Sequence, residues 1–314
     1  MEKINAWLSQ PQFQDSPIRV WMAIAAGLVL VLLVIIVCVL KHKNKKKAQT
    51  KEADVPVEEP VTSQPKELPV LELANLQGLG IREEQQDAFG ISRMDQYETN
   101  GLLAVLCDGM GGMAEGGRIA SETVTELMHT FPWNDDGSVP YWISGRSAKV
   151  YQQFRGHGGT TLVTALIRKN KLSFWCVGDS DLFLLREGNI HSLNIRQEYK
   201  NELILRALEG AFPVEEAYLD PQAGALLEYV GKEEVKCDHN HIPLTLQPED
   251  TLLLCSDGVS DTLTLKQIKE AMVLSPQECC DKLETEILRA GKPNQDNYTA
   301  IVLKYHGEKG EKSA

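Results

Sequence analysis

The sequence predicts an α+β fold, an antiparallel β-sandwich flanked by helices and preceded by one transmembrane helix. Three observations predict it. Residues 20–40, VWMAIAAGLVLVLLVIIVCVL, carry no charge and as a helix would span about 31 Å, the thickness of a bilayer's hydrocarbon core. From Leu76 to Tyr305 short apolar runs alternate with turn signals, the mark of many short strands. Two further stretches carry a helical period or helix-terminus signals.

The N-terminal element is a membrane span. Its apolar run is too long for a signal-peptide core, no small-residue cleavage site follows it, and a core helix would show a polar face. Directly after it comes KHKNKKK (41–47), whereas residues 1–19 are poor in Lys and Arg. By the positive-inside rule the short N-terminus lies outside and the body in the cytoplasm. Cys38 reads as a plain apolar span residue, with acylation the alternative. Residues 41–75 continue as a basic juxtamembrane segment and a linker mixing Pro, Glu, Ser and Thr, too polar to bury a core. The domain itself is expected over 76–306, with 307–314 a polar tail.

Within the domain, LLAVLCD (102–108), TLVTALI (161–167), LSFWCVG (172–178), DLFLLRE (181–187), TLLLCSD (251–257) and TAIVLKY (299–305) read as strands. Several are apolar on both faces and need cover on both sides. IASETVTELMHTF (119–131) supplies a helix with an apolar stripe. A second starts after Ser275, where Ser275, Pro276 and Glu278 form an N-cap, first-turn proline and capping-box acid, and Gly291 closes it. KNKL (169–172) and REGNI (186–190) read as hairpin turns, making their strands antiparallel.

Charge narrows the function. The first 47 residues hold seven Lys/Arg against two acids, leaving 25 basic against 42 acidic residues beyond them. An acidic body argues against nucleic acid, whose phosphates need a basic face, and suits a protein that gathers cations. The seven cysteines are scattered with no C-x-x-C pair, which reads as free thiols in a reducing compartment and not as a zinc site. Asp87, Asp108, Asp179, Asp257 and Asp296 stand where strands end or turns begin. Each alone reads as a turn residue. Three apolar strands that each end in Asp followed by Gly or Ser suggest instead that carboxylates converge, and converging carboxylates repel unless divalent cations neutralise them. Hard oxygen donors favour magnesium or manganese. His157, His239 and His241 have no motif around them and read as surface or loop residues.

These residues resemble the PPM family, the type 2C protein phosphatases, from about Gly78 to Tyr305. The resemblance rests on an ordered series: Arg82-x4-Asp87-Ala88, Asp108-Gly109-Met110-Gly111-Gly112, Gly159-Thr160-Thr161, Gly178-Asp179-Ser180, Ser256-Asp257-Gly258-x2-Asp261 and Asp296-Asn297-x-Thr299. The Met110-Gly111-Gly112 form is similar to the bacterial branch. The resemblance implies a four-layer α/β/β/α sandwich. It also implies that Asp87, Asp108, the Gly109 carbonyl, Asp257 and Asp296 hold two divalent cations, with Asp108 bridging them and a shared hydroxide attacking phosphorus. Arg82 would bind the substrate phosphate, and Asp179 and Asp261, with Asp257, would hold a weaker third cation. The implied activity is hydrolysis of phosphoserine and phosphothreonine on protein targets of a Ser/Thr kinase, at the cell membrane of a bacterium. A catalytically inactive, phosphoprotein-binding membrane scaffold is the alternative, and it would not need so many mutually repulsive acids. The segment from about 193 to 248 takes the place of the family's substrate-contacting flap. Gln86, Met110 and Asp181 depart from common family residues; the last stands where an arginine commonly follows Gly-Asp-Ser, which puts local ion pairing in question.

Overall fold

The structure is a computed structural model that describes residues 70–110 and 115–307. The expected span at 20–40, the lysines after it, Gly111, Gly112 and the end of the tail lie outside the described residues. In chain order the strands are β1 (Leu71–Gly78), β2 (Asp87–Ile91), β3 (Leu102–Asp108), β4 (Leu162–Arg168), β5 (Lys171–Val177), β6 (Asp181–Arg186), β7 (Asn189–Ser192), β8 (Asp238–His239), β9 (Leu244–Thr245), β10 (Thr251–Cys255) and β11 (Tyr298–Tyr305). The helices are α1 (Tyr97–Asn100), α2 (Gly116–Thr130), α3 (Val139–Phe154), α4 (Tyr199–Leu208), α5 (Val214–Leu219), α6 (Asp257–Ser260), α7 (Leu265–Met272) and α8 (Pro276–Ala290).

Two antiparallel sheets result. One has the order β1-β11-β10-β6-β7; the other runs β2-β3-β4-β5-β8, with β9 also pairing β5. Strand alternation then dictates the layers, because successive side chains point to opposite faces. On β3, Leu102, Ala104 and Leu106 face the other sheet, while Leu103, Val105 and Cys107 pack with α2 and α3 through Ile119, Leu127 and Ile143. On β10, Leu252 and Leu254 share the inter-sheet core, and Leu253 and Cys255 face α7 and α8 through Ile268, Met272 and Leu283. Strands apolar on both faces therefore sit centrally with a helix layer outside each sheet, the predicted four-layer sandwich.

The six predicted strands are all present within one or two residues, as are the two predicted hairpins: Arg168 pairs with Lys171, and Arg186 with Asn189. Helix α8 has its Ser275–Glu278 capping box, Pro276 in its first turn and Gly291 in the left-handed conformation. The start of the domain needs correction. β1 begins at Leu71, inside the stretch assigned to the linker, and pairs along its whole length with β11 from Leu71–Tyr305 to Gly78–Tyr298. Its polar alternation, LELANLQG, is that of an edge strand, and it continues directly from the Pro-rich stretch. Among the described residues no helix is long and apolar enough to cross a membrane. The six described cysteines are free thiols, five of them buried.

Candidate metal centre

The acids converge because the strands that carry them end on the same side. Asp87 opens β2 and Asp108 closes β3, and the two are directly paired across the ladder. Asp257 follows β10, Asp296 precedes β11 and Asp179 precedes β6. All five predicted positions therefore lie at one end of the sandwich. A cavity of about 280 Å³ there is lined by Asp108, Gly109, Met110, Asp179, Asp257 and Asp296, with Gly224 and Leu226 of the flap segment across it. A second, of about 200 Å³, is lined by Arg82, Asp257, Asp261, Lys292 and Asp296. Asp257 and Asp296 border both.

The other motif residues hold this end together. Thr161 accepts the Asp108 N–H on its Oγ1 at 2.9 Å and donates its own N–H to the Asp108 carbonyl at 2.8 Å; the Thr160 hydroxyl reaches the same carbonyl at 2.8 Å. Thr161 Oγ1 lies 2.7 Å from Ser180 Oγ, tying the third and fourth motifs. Buried Asn297 accepts the Gln86 N–H and donates to the Leu79 carbonyl, both at 2.9 Å. Gly109 and Gly258 are required by close approach: a Cβ at Gly109 would meet the Gly116 carbonyl oxygen at 2.5 Å, and one at Gly258 the Asn297 oxygen at 1.9 Å.

Asp87 is buried. Its Oδ2 accepts hydroxyls from Ser256 at 2.9 Å and Thr299 at 2.7 Å, while its buried Oδ1 has no partner. Ser256 and Thr299 were visible in the sequence only as motif markers; the structure gives them the task of aiming Asp87. Burial pushes the Asp87 carboxyl up to about 6 against the pull of those hydroxyls, and the charges of Asp257 and Asp296 add to the rise. Asp108 is pushed well above the ordinary carboxylate range, first by burial and then by Asp87 and Asp257. It keeps a little solvent contact, but the surrounding protein displaces most of its hydration water. Asp257 is raised by burial and then by the charge of Asp261, with the neighbouring Asp108 pulling the other way. Asp179 rises to about 7, through burial and then Asp257, with Arg196 opposing.

Among the described residues no three acidic, imidazole or thiol groups converge on one metal point; Asp87 turns to Ser256 and Thr299, and Asp296 to Arg82. The donor set nevertheless fits hard divalent cations. Its side chains are all carboxylates, neighbouring acids raise the pKa of Asp87, Asp108 and Asp257, and Asp87 and Asp257 each keep a buried Oδ1 without a hydrogen bond, whereas buried acceptors ordinarily have a partner. Arg82 joins the site through its Nη2, 2.6 Å from Asp296 Oδ2. His239 and His241 stack edge to face with each other beside Trp175 in a different cavity, and His157 is exposed; none lines the acidic cavities.

Two departures acquire an account. Asp181 is buried and bound by Arg196, whose Nε and Nη2 reach its carboxylate at 3.1 and 2.7 Å. The charge missing after Gly-Asp-Ser is thus supplied fifteen positions later, a pairing that local sequence could not show. Gln86 contributes its backbone, through the Asn297 bond and the Gly109 N–H donated to its carbonyl at 3.1 Å. The expected flap holds α4 and α5, and its Leu226 bridges to Glu198.

Comparison with known proteins supports the family resemblance. Residues 82–290 match the family model described as protein phosphatase 2C. The serine/threonine protein phosphatase PstP of Mycobacterium tuberculosis is 31% identical over 223 residues, covering 66% of this chain; the chain spans 41% of that relative's length. The protein phosphatase PhpP of Streptococcus pneumoniae is 31% identical over 226 residues, covering 67% of this chain and 88% of PhpP. Among solved structures, the catalytic domain of PstP in complex with two manganese ions superposes with a TM-score of 0.58 at 26% identity, over 75% of this chain and 98% of that one.

Proposed function

The chain belongs to the protein phosphatase 2C family, and we propose that it is a membrane-anchored, divalent-cation-dependent phosphatase acting on phosphoserine and phosphothreonine in proteins. The observation that carries this is the acidic end of the sandwich, where Asp257, with one oxygen unpartnered, lines two adjoining cavities together with Asp108, Asp179, Asp261 and Asp296, and the buried Asp87 keeps a second unpartnered oxygen. Asp87, Asp108, Asp257, Asp296 and the Gly109 carbonyl would hold two cations, manganese or magnesium. Such a pair supplies a water of lowered pKa and neutralises charge on the phosphoryl oxygens.

The chain's own residues do the rest. Thr160 and Thr161 fix the strand end that carries Asp108, and Ser256 and Thr299 orient Asp87. Arg82 spends one of its N–H donors on Asp296, leaving others for the oxygens of a phosphate, which a planar guanidinium can take two at a time. No protein nucleophile is required. The bulk of the flap segment, with Leu226 on the cavity, would restrict water and position the phosphoprotein.

Anchoring rests on the uncharged run at 20–40 and the lysines after it, and the relatives compared above come from bacteria, which suits a bacterial cell membrane with the domain inside. The chain enters the sandwich at Leu71, whose partner Tyr305 lies at the end of the sheet away from Asp296. Protease added to intact cells should leave the domain uncut; cleavage there overturns the orientation.

The enzymatic reading is tested on the full-length chain with an aryl phosphate and manganese. Wild type should hydrolyse it and lose the activity to a chelator. Asp257→Asn should lower turnover about a thousandfold, the range for removing an interaction made in the transition state, and weaken manganese binding in parallel. An Asp257→Asn protein as active as wild type would refute the metal assignment, and a metal-loaded wild type that binds a phosphoprotein without hydrolysing it would favour the scaffold.

A further inference from the structure

One basic residue at the acidic end has no part in the metal reading. Arg196 lies after β7, and its guanidinium is engaged on three sides. Nη1 donates to Asp261 Oδ1 at 2.7 Å and to Glu198 at 3.2 Å; Nη2 donates to Ser260 Oγ at 2.6 Å and to Asp181 at 2.7 Å. Asp181 and Glu198 are both buried, and Lys292 brings a second positive charge, its Nζ donating to the backbone carbonyl of Asp261. The Arg196 charge also acts on Asp179 and Asp257. The acids expected to hold a third cation are thus already in the field of a fixed one.

We infer that Arg196 is a built-in cation at the third-cation position, so that this chain takes two divalent ions and Asp261 serves the guanidinium in place of a metal. The inference rests on the two-cation reading above. A guanidinium does not deprotonate in proteins, so it cannot yield its place by losing its charge. Nor can it swing away without stranding the Asp181 carboxylate, for which it is the hydrogen-bond partner and which is only 4% exposed. A divalent ion brought to Asp261 would have to sit against that charge. The substitution of Asp for a basic residue at 181 and the placement of Arg at 196 then have one consequence: a single fixed charge stands where an exchangeable double charge would.

The test counts manganese on the full-length chain by isothermal titration and by the spin-resonance signal of free ion. Wild type should bind two equivalents, and Asp261→Asn should do the same with affinities within about twofold. Arg196→Ala alone would leave Asp181 buried and unpaired, so the informative variant is Arg196→Ala with Asp181→Asn, which should gain a third equivalent that Asp261→Asn then removes. A third equivalent in wild type, lost in Asp261→Asn, overturns the inference and leaves the two-cation reading intact. Two equivalents in the double variant also overturn it, because something other than Arg196 would then exclude the third ion. No manganese bound by any form removes the two-cation reading and this inference with it.

Discussion

Asp87 and Asp181 are each the first residue of a strand, each buried, yet their charges are met in opposite ways. Asp87 receives two neutral hydroxyls and keeps one oxygen unpartnered. Asp181 receives a guanidinium through both oxygens. Hydroxyls orient a carboxylate without neutralising it, so the β2 acid stays in need of a cation; the β6 acid has its cation built in. The same residue type at equivalent places in two sheets is therefore a metal-ligand candidate in one and a structural anchor in the other, and the partner decides which.

That contrast is broken most strongly at Arg196. Arg196→Ala should destabilise the domain by about 3–5 kcal/mol, the range for leaving a buried charge without its partner, read as a fall in the denaturant midpoint with unchanged slope. Adding Asp181→Asn should recover a large part of the loss, since the charge that needed a partner is gone. If Arg196→Ala alone is as stable as wild type, the Asp181 pair is not what holds this end of β6.

The two arginines of the site sharpen the same point. Arg82 pairs with Asp296 across a bond whose side chains are 45% and 41% exposed, and exposed ion pairs contribute about 0–1 kcal/mol. Arg82→Ala should leave the melting temperature nearly unchanged while lowering kcat/KM roughly tenfold to a hundredfold, as expected for losing a charge-assisted contact to phosphate. Manganese affinity should barely move, and Arg82→Lys should rescue only in part, because a point charge cannot make the planar two-oxygen contact. Full activity in Arg82→Ala would mean that the metals alone recognise phosphate.

These cases also mark what the sequence could and could not disclose. Strands β3, β4, β10 and β11 are buried on both faces and appear as continuous apolar runs, so both their existence and the helix layers over them were legible. The acids at their ends were legible for the same reason: a polar residue closing an apolar run is conspicuous. β1 was not, because an edge strand alternates and its pattern merges into the linker. α3 was not, because its start signals, Ser138 at the N-cap and Pro140 in the first turn, come without a capping-box acid or a side-chain cap, and its apolar stripe is broken by the buried Arg146. Arg196 was hidden by distance, since its partners Asp181 and Asp261 lie on β6 and after α6, and no local pattern marks a contact across fifteen or sixty-five positions.

The smallest expected effect lies at Thr299, and it isolates what a neutral hydroxyl does for a carboxylate that awaits a cation. Thr299 Oγ1 donates to Asp87 Oδ2 at 2.7 Å and stabilises the charged form. Thr299→Val keeps the shape and removes that donor. Losing one hydrogen bond to a charged group, about 1.4 kcal/mol, corresponds to roughly one pKa unit, so the Asp87 carboxyl would rise from about 6 by that amount. The sign follows from competition between proton and metal. Below its pKa Asp87 is protonated and a divalent ion must displace the proton; above it the carboxylate is free. Manganese affinity at pH 6 should therefore fall roughly fivefold in Thr299→Val, whereas at pH 8 both proteins have Asp87 ionised and should bind alike. Titrations at the two pH values, on wild type and variant, check this. A loss of equal size at both would assign Thr299 to the shape of the site, and no loss at pH 6 would show that Ser256 alone is enough to hold Asp87 in its charged form.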